Sequence, residues 1–286
     1  MTSPAFRLEL PRHRATPVVV SSPHSGRDYP AGMLARSQLD EHTVRSSEDA
    51  FVDDLFGAAP SLGAPLIAAR VPRAYIDLNR AADELDPALI EGVARAPHNP
   101  RVSSGLGVIP RVVANGRPIY RGKLSLIEAQ MRIERVWIPY HEALKSLMEE
   151  SLELFGKAVL IDCHSMPHEA IEAHARFGQP QPDVVLGDRF GAAASREVVD
   201  AVEAAFVAAG LRVARNAPFA GAYIAQAYGR PSRNQHVVQV EIDRSLYMDE
   251  AAIVPRPDYA AFRQRISGVL AEVIGRESEA MPLAAE

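Results

Sequence analysis

The stretch KAVLIDCHS, residues 157–165, decides the fold: an apolar run from Lys157 to Asp162 reads as a buried strand, and it opens directly onto His164. Two other stretches repeat the pattern. TPVVVSS at 16–22 is β-branched and ends at Pro23, His24, Ser25 and Gly26, while VVQVEI at 237–242 carries Glu241 among apolar neighbours. Outward from these strands lie helical patterns. Leu124–Phe155 is the longest, with Pro139 expected to split it and Gly156 to stop it. Ser195–Ala209 follows, closed by Gly210, and Tyr259–Arg276 is the last helix.

Between the first and second strands, EDAFVDDLFGA at 48–58 places Phe51, Val52, Leu55 and Phe56 on one helical face, with Ser46, Ser47 and the adjacent acids as N-terminal caps. Leu66–Val71 and Ala74–Leu78 read as strands, the second ending in the polar pair Asn79 and Arg80. Ala81–Gly116 is rich in Pro, Gly, Asp and Asn and reads as a long irregular excursion of the kind that covers a substrate cleft. Strands and helices alternate with no repeat and no low-complexity linker. The expectation is a single α/β domain over residues 1–286, with loose ends at about 1–15 and 277–286. In such sheets ligands gather outside the carboxyl ends of the strands, where these polar residues collect.

Composition narrows the function. At 286 residues with 47% hydrophobic content, the chain can bury a sizeable core. The net charge of -5 gives no global basic field for nucleic acid or an anionic membrane. The opening residues lack the apolar core of a signal peptide, and no apolar run approaches the roughly 18 residues of a membrane span, so the expected location is cytoplasmic. Cys163 is the only cysteine, which rules out an intrachain disulfide and leaves His, Asp and Glu as metal ligands.

His24 and His164 each follow a strand and could meet at one sheet edge as imidazole ligands for zinc; each is equally compatible with a loop histidine bonded to backbone. A catalytic zinc commonly takes three protein ligands and keeps a position for water. Glu48 and Asp49 are the nearest acids, with helix capping as their plain alternative. Asp162 could be a ligand or a carboxylate that orients an imidazole. Glu241, placed among apolar neighbours, is either paired or working as a general base, unless its strand is an edge that lets it face solvent. Asn79 and Arg80 offer an amide and a guanidinium for a carboxylate or an oxyanion.

Several segments together resemble the N-formylglutamate amidohydrolase family. They are SSPHSGRDYP at 21–30, EDAFVDDLF at 48–56, AYIDLNR at 74–80, PIYRGKLS at 118–125, IPYHEAL at 138–144 and VLIDCHSMP at 159–167. PDVVLGDRFG at 182–191, NAPFAGAYIAQAYGRP at 216–231 and HVVQVEIDRSLYMDE at 236–250 complete the set, so the resemblance runs from about residue 18 to residue 270. It implies a three-layer α/β sandwich with a mixed central sheet, similar to zinc carboxypeptidases, in which a His, an acid and a later His hold one zinc per chain. Manganese or cobalt remain admissible metals. By this resemblance the ligands are His24, Asp49 and His164, with Asp49 favoured over Glu48 by the downstream Val52 and Leu55. Glu241 is the general base and acid, Asn79 and Arg80 hold the substrate carboxylate, and Tyr223 lies in a Gly-rich loop near the cleft. Arg121 and Arg132 are further candidate contacts for a dicarboxylate, Arg132 being as well explained by a solvated helix face.

The implied reaction is hydrolysis of N-formyl-L-glutamate, or a similar small acidic N-acyl amino acid, to formate and glutamate, without organic cofactor, nucleic acid or membrane. The stretch AADELDPALIEGVAR after DLNR departs from the family's tyrosine- and glycine-containing pattern, in a region that shapes the substrate pocket. Two other readings stay open: a zinc hydrolase for another N-acyl amino acid or small peptide, and a non-catalytic binder of an acidic metabolite. A cysteine hydrolase on Cys163 and His164 is disfavoured, because adjacent strand side chains point to opposite faces.

Overall fold

Seven strands build one mixed sheet in the computed structural model, which describes residues 4–94, 99–172 and 181–279. In chain order they are β1 (Phe6–Glu9), β2 (Val18–Ser22), β3 (Leu66–Ala69), β4 (Ala158–Met166), β5 (Val184–Gly187), β6 (Val213–Arg215) and β7 (Gln235–Asp243). Across the sheet the order is β1-β3-β2-β4-β7-β5-β6. β2 and β7 both run parallel to β4, whereas β5 is antiparallel to β7 and parallel to β6. With helices on both faces this is a mixed α/β sandwich.

Every residue of β2 and β4 is buried, and in β7 only Gln235 is partly exposed. A strand covered on both faces reads as a continuous apolar run, which is why these three were visible in the sequence. It also makes their polar members conspicuous. Asp162, His164, Gln239 and Glu241 sit inside dry strands, where an unpaired polar group is costly.

Contacts divide the chain into two compact units. One holds Pro23–Ala50 and Ala68–Ala143 with residues up to Arg7; the other holds Leu8–Ser22, Phe51–Ile67 and the chain from Leu144 onward. The first is largely irregular and is tied together by buried side chains such as Tyr75, Ile76, Leu78 and Arg132. In the second, helices Arg196–Ala208 and Tyr259–Glu279 pack together, and the first of them also meets β5 and β6.

Four expectations need correction. Ala74–Leu78 is a turn, not a strand: the Tyr75 N–H bonds to the Pro72 carbonyl and the Asp77 N–H to the Val108 carbonyl, so no ladder forms although Tyr75, Ile76 and Leu78 are buried. The helix read over 48–58 shrinks to Val52–Leu55, because Phe51 takes a left-handed φ of 66° and the Asp49 N–H is bonded to the His24 carbonyl. Pro139 does not break its helix. Leu126–Arg132 runs through a π-helical turn at Ile133–Trp137 into Ile138–Phe155, and the widened turn accommodates the ring and the missing N–H. Residues 6–9 of the expected loose N-terminal end are β1, and the last helix runs to Glu279; 280–286 lie outside the described residues. The described part of 81–116 is irregular apart from short helical turns such as Pro100–Ser103, with 95–98 outside the described residues. Among the described residues, no helix is long and apolar enough to cross a membrane.

Candidate metal centre

The chain leaves β2 through Pro23, His24, Ser25 and Gly26. A Cβ at Gly26 would come within 2.1 Å of the Val71 carbonyl oxygen, so only glycine permits this close passage of backbone against backbone. The turn delivers a buried His24 whose own carbonyl accepts the Asp49 N–H at 3.1 Å. The two residues are thereby joined through the main chain. Their side chains meet as well, His24 Nδ1 standing 3.3 Å from Asp49 Oδ2.

The other imidazole nitrogen is spoken for. His24 Nε2 lies 2.7 Å from Asp77 Oδ1, an oxygen that also accepts the Asn79 N–H at 2.8 Å. Arg73 pairs with Asp77 Oδ2 at 2.8 Å and stands 3.8 Å from Asp49 Oδ1. Burial alone would raise the Asp77 carboxyl, but His24, Arg73 and Arg80 outweigh it and hold the group well below the usual carboxylate range. With Nε2 engaged by Asp77, the ring is oriented so that Nδ1 faces Asp49.

On β4, Asp162 and His164 are two residues apart and share a face. His164 Nε2 is 3.0 Å from Asp162 Oδ2, and Ser21 Oγ donates to the other Asp162 oxygen at 3.2 Å. Asp162 thus stands to His164 as Asp77 stands to His24. The parallel register sets His164 beside Glu241 and Asp162 beside Gln239 on β7, and Gln239 Nε2 donates to Glu241 Oε1 at 2.8 Å. β7 lies between β4 and β5, so Glu241 does not face solvent from an edge.

One ligand atom each from His24, Asp49 and His164 lies within 4.8 Å of the other two, all three residues being buried. Ligand atoms about 2.0–2.1 Å from a tetrahedral zinc stand about 3.3 Å apart, which is the His24–Asp49 separation. Two imidazoles and a carboxylate, the imidazoles each backed by a second carboxylate, suit a borderline-soft divalent ion. The group can hold a metal ion.

Glu48 is elsewhere: Tyr29 Oη donates to it at 2.7 Å, and Arg45 reaches it at 3.0 and 3.1 Å. Asn79 and Arg80 are buried beside Asp77, with Arg80 Nη1 donating to the Asn79 carbonyl and Nε to the Leu106 carbonyl. Arg121 is exposed on the segment whose N–H bonds to the Arg36 carbonyl. Tyr223 opens the short helix Tyr223–Tyr228, directly after Ala222, whose N–H donates to Gln239 Oε1 at 2.9 Å. Arg132 is neither a substrate contact nor on a solvated face. It is 1% exposed, lies over the Tyr75 ring at 4.1 Å and donates to the Tyr75 carbonyl and Tyr120 Oη. Cys163 points to the opposite face of β4 from His164, and burial lifts its thiol well above the usual range, so it stays protonated.

Reading the sequence missed Asp77, Arg73 and Gln239. Asp77 and Arg73 sit in the stretch mistaken for a strand and its approach, and their link to His24 exists only in the fold. Gln239 carried a signal that was passed over: a lone amide within VVQVEI, two residues before the carboxylate.

Comparison with known proteins places this geometry among relatives. The family described as N-formylglutamate amidohydrolase matches residues 16–248. N-formylglutamate deformylase of Pseudomonas aeruginosa is 31% identical over 242 residues, covering 82% of this chain and 84% of that protein. The Pseudomonas putida protein of the same name is 30% identical over 239 residues, covering 82% of each. The crystal structure of N-formylglutamate amidohydrolase from Ralstonia eutropha JMP134 superposes with a TM-score of 0.88 at 37% identity, over 96% of this chain and 99% of that one. A gene product of Agrobacterium tumefaciens shares the fold, with a TM-score of 0.64 at 17% identity.

Proposed function

The chain belongs to the N-formylglutamate amidohydrolase family, and from that membership we propose that it hydrolyses N-formyl-L-glutamate, or a close acidic N-acyl amino acid, with one zinc ion held by His24, Asp49 and His164. The observation that carries the reading is the buried cluster of two imidazoles and one carboxylate, with Glu241 beside His164 on the next strand. A divalent ion held by His24, Asp49 and His164 would supply Lewis acidity and would lower the pKa of water toward neutrality.

The remaining work falls to the chain's own groups. Glu241 accepts the water proton as the new C–O bond forms, and returns it to the amide nitrogen as the C–N bond breaks, releasing formate and glutamate. Its burial between β4 and β5 keeps bulk water from competing for that proton. Asn79 and Arg80 grip a substrate carboxylate, their backbone held by the Asp77 network, which also orients His24. Tyr223 and Arg121 complete the substrate contacts.

Kinetics of wild type and Glu241→Gln on N-formyl-L-glutamate, N-formyl-L-methionine and N-acetyl-L-glutamate test this. The wild type should favour the formylated dicarboxylate, and the variant should bind metal normally while losing about 10²–10⁴-fold in kcat. Preference for a neutral side chain would reassign the substrate. Equal turnover by wild type and Glu241→Gln would refute the assignment of the base.

A further inference from the structure

Gln239 is 4% exposed and shares a face of β7 with Glu241. Two of its amide contacts are of opposite polarity: Oε1 accepts the Ala222 N–H at 2.9 Å, and Nε2 donates to Glu241 Oε1 at 2.8 Å. A backbone N–H cannot accept a hydrogen bond, and an ionised carboxylate cannot donate one. The amide therefore has a single workable orientation, with its NH2 directed at Glu241.

The partner that enforces this orientation is itself fixed. Gly187 on β5 is level with Gln239, and a Cβ on Gly187 would come within 2.6 Å of the Gly221 N. Gly221 has a φ of 102°, a backbone conformation open only to glycine without strain. The segment Ala220–Ala222 is thus pressed onto the sheet where Gln239 meets it, and Tyr223 begins the next helix.

We propose that Gln239 is a positioning residue for the hydrolytic reaction: its NH2 holds Oε1 of Glu241 and so fixes the plane of the base, and its carbonyl anchors the segment that carries Tyr223. This inference rests on the proposed role of Glu241. A charge-assisted hydrogen bond to a buried carboxylate fixes the carboxylate plane, and a base displaced by about 1 Å can lose on the order of a hundredfold in rate.

The test compares zinc-loaded wild type, Gln239→Glu, Gln239→Met and Glu241→Gln on N-formyl-L-glutamate, with metal content and thermal midpoint measured for each. Gln239→Glu keeps an acceptor for the Ala222 N–H and sets a second carboxyl against Glu241 in place of the amide donor; Gln239→Met removes both contacts. Gln239→Glu should lose about 10- to 100-fold in kcat with KM within about threefold of wild type, Gln239→Met should lose kcat likewise with a raised KM as the Tyr223 segment loosens, and metal content should be unchanged in both. Full kcat in Gln239→Glu would overturn the positioning role and leave Gln239 as a tether alone. Loss of metal in step with activity would also overturn it. An active Glu241→Gln would refute the underlying reading of the base, whereas an inactive Glu241→Gln beside a fully active Gln239→Glu would refute only the role of Gln239.

Discussion

His24 Nε2 stands 2.7 Å from Asp77 Oδ1, and this pairing turns the opposite nitrogen, Nδ1, toward Asp49. A carboxylate behind a ligating imidazole fixes its tautomer and its ring orientation. Asp77→Ala should therefore weaken zinc binding by about 10- to 100-fold, read by competition with a chromophoric chelator, with Asp77→Asn weakening it less. Unchanged affinity in Asp77→Ala would show that Asp77 does not orient the ligand.

Glu48 and Asp49 are adjacent and differently engaged, so they should fail differently. Asp49→Asn should lose bound metal. Glu48→Gln should keep its metal and lose on the order of 1–3 kcal/mol of stability, because Tyr29 and Arg45 would face a neutral partner in a buried site. Metal analysis and denaturant unfolding of both variants separate the roles; metal loss in Glu48→Gln with retention in Asp49→Asn would reverse the assignment.

Arg132 belongs to the core. Arg132→Leu would leave the Tyr75 carbonyl and Tyr120 Oη without this donor and Glu128 with Arg36 alone, at a cost on the order of 3 kcal/mol. The KM for the substrate should stay near the wild-type value. A raised KM with unaltered stability would return Arg132 to the substrate site.

His236 sets an acid limit on stability. Burial, and Lys157 second to it, pull its imidazole down to about 4 against the opposing Glu197, while Nδ1 accepts the Ser195 N–H at 3.1 Å. An unfolded histidine titrates near 6.5, so between about pH 6.5 and 4 the unfolded chain binds the extra proton. Stability from this site is full above that window and falls as pH drops through it, by on the order of 3 kcal/mol in total. His236→Gln, whose amide oxygen can accept the same N–H, should flatten unfolding free energy against pH in this window. An identical slope in wild type and variant would contradict the account.

The sequence made the centre of the sheet legible and left its margins obscure. β2, β4 and β7 are dry on both faces, so their apolar runs stand out even though Asp162 and His164 interrupt β4 and Gln239 and Glu241 interrupt β7. β5 and β6 are only 4 and 3 residues long, too short for periodicity to separate them from loop. Ala74–Leu78 misled for the reverse reason: buried apolar side chains on an irregular backbone look like a strand until the hydrogen bonds are seen. His24 and His164 were readable as candidate ligands because each follows an apolar run, whereas Asp49 was favoured over Glu48 only through the family resemblance. Their supporting groups were less so, since Asp77 lies 53 residues from His24 and its purpose appears only when the chain has folded.

The most direct measurement is formate release from N-formyl-L-glutamate, with zinc content determined on the same sample, before chelation, after it, and after zinc is restored. The account predicts about one zinc per chain, with activity lost on chelation and regained with the metal. Turnover that survives complete removal of metal, or a zinc-loaded protein that releases no formate, would contradict it.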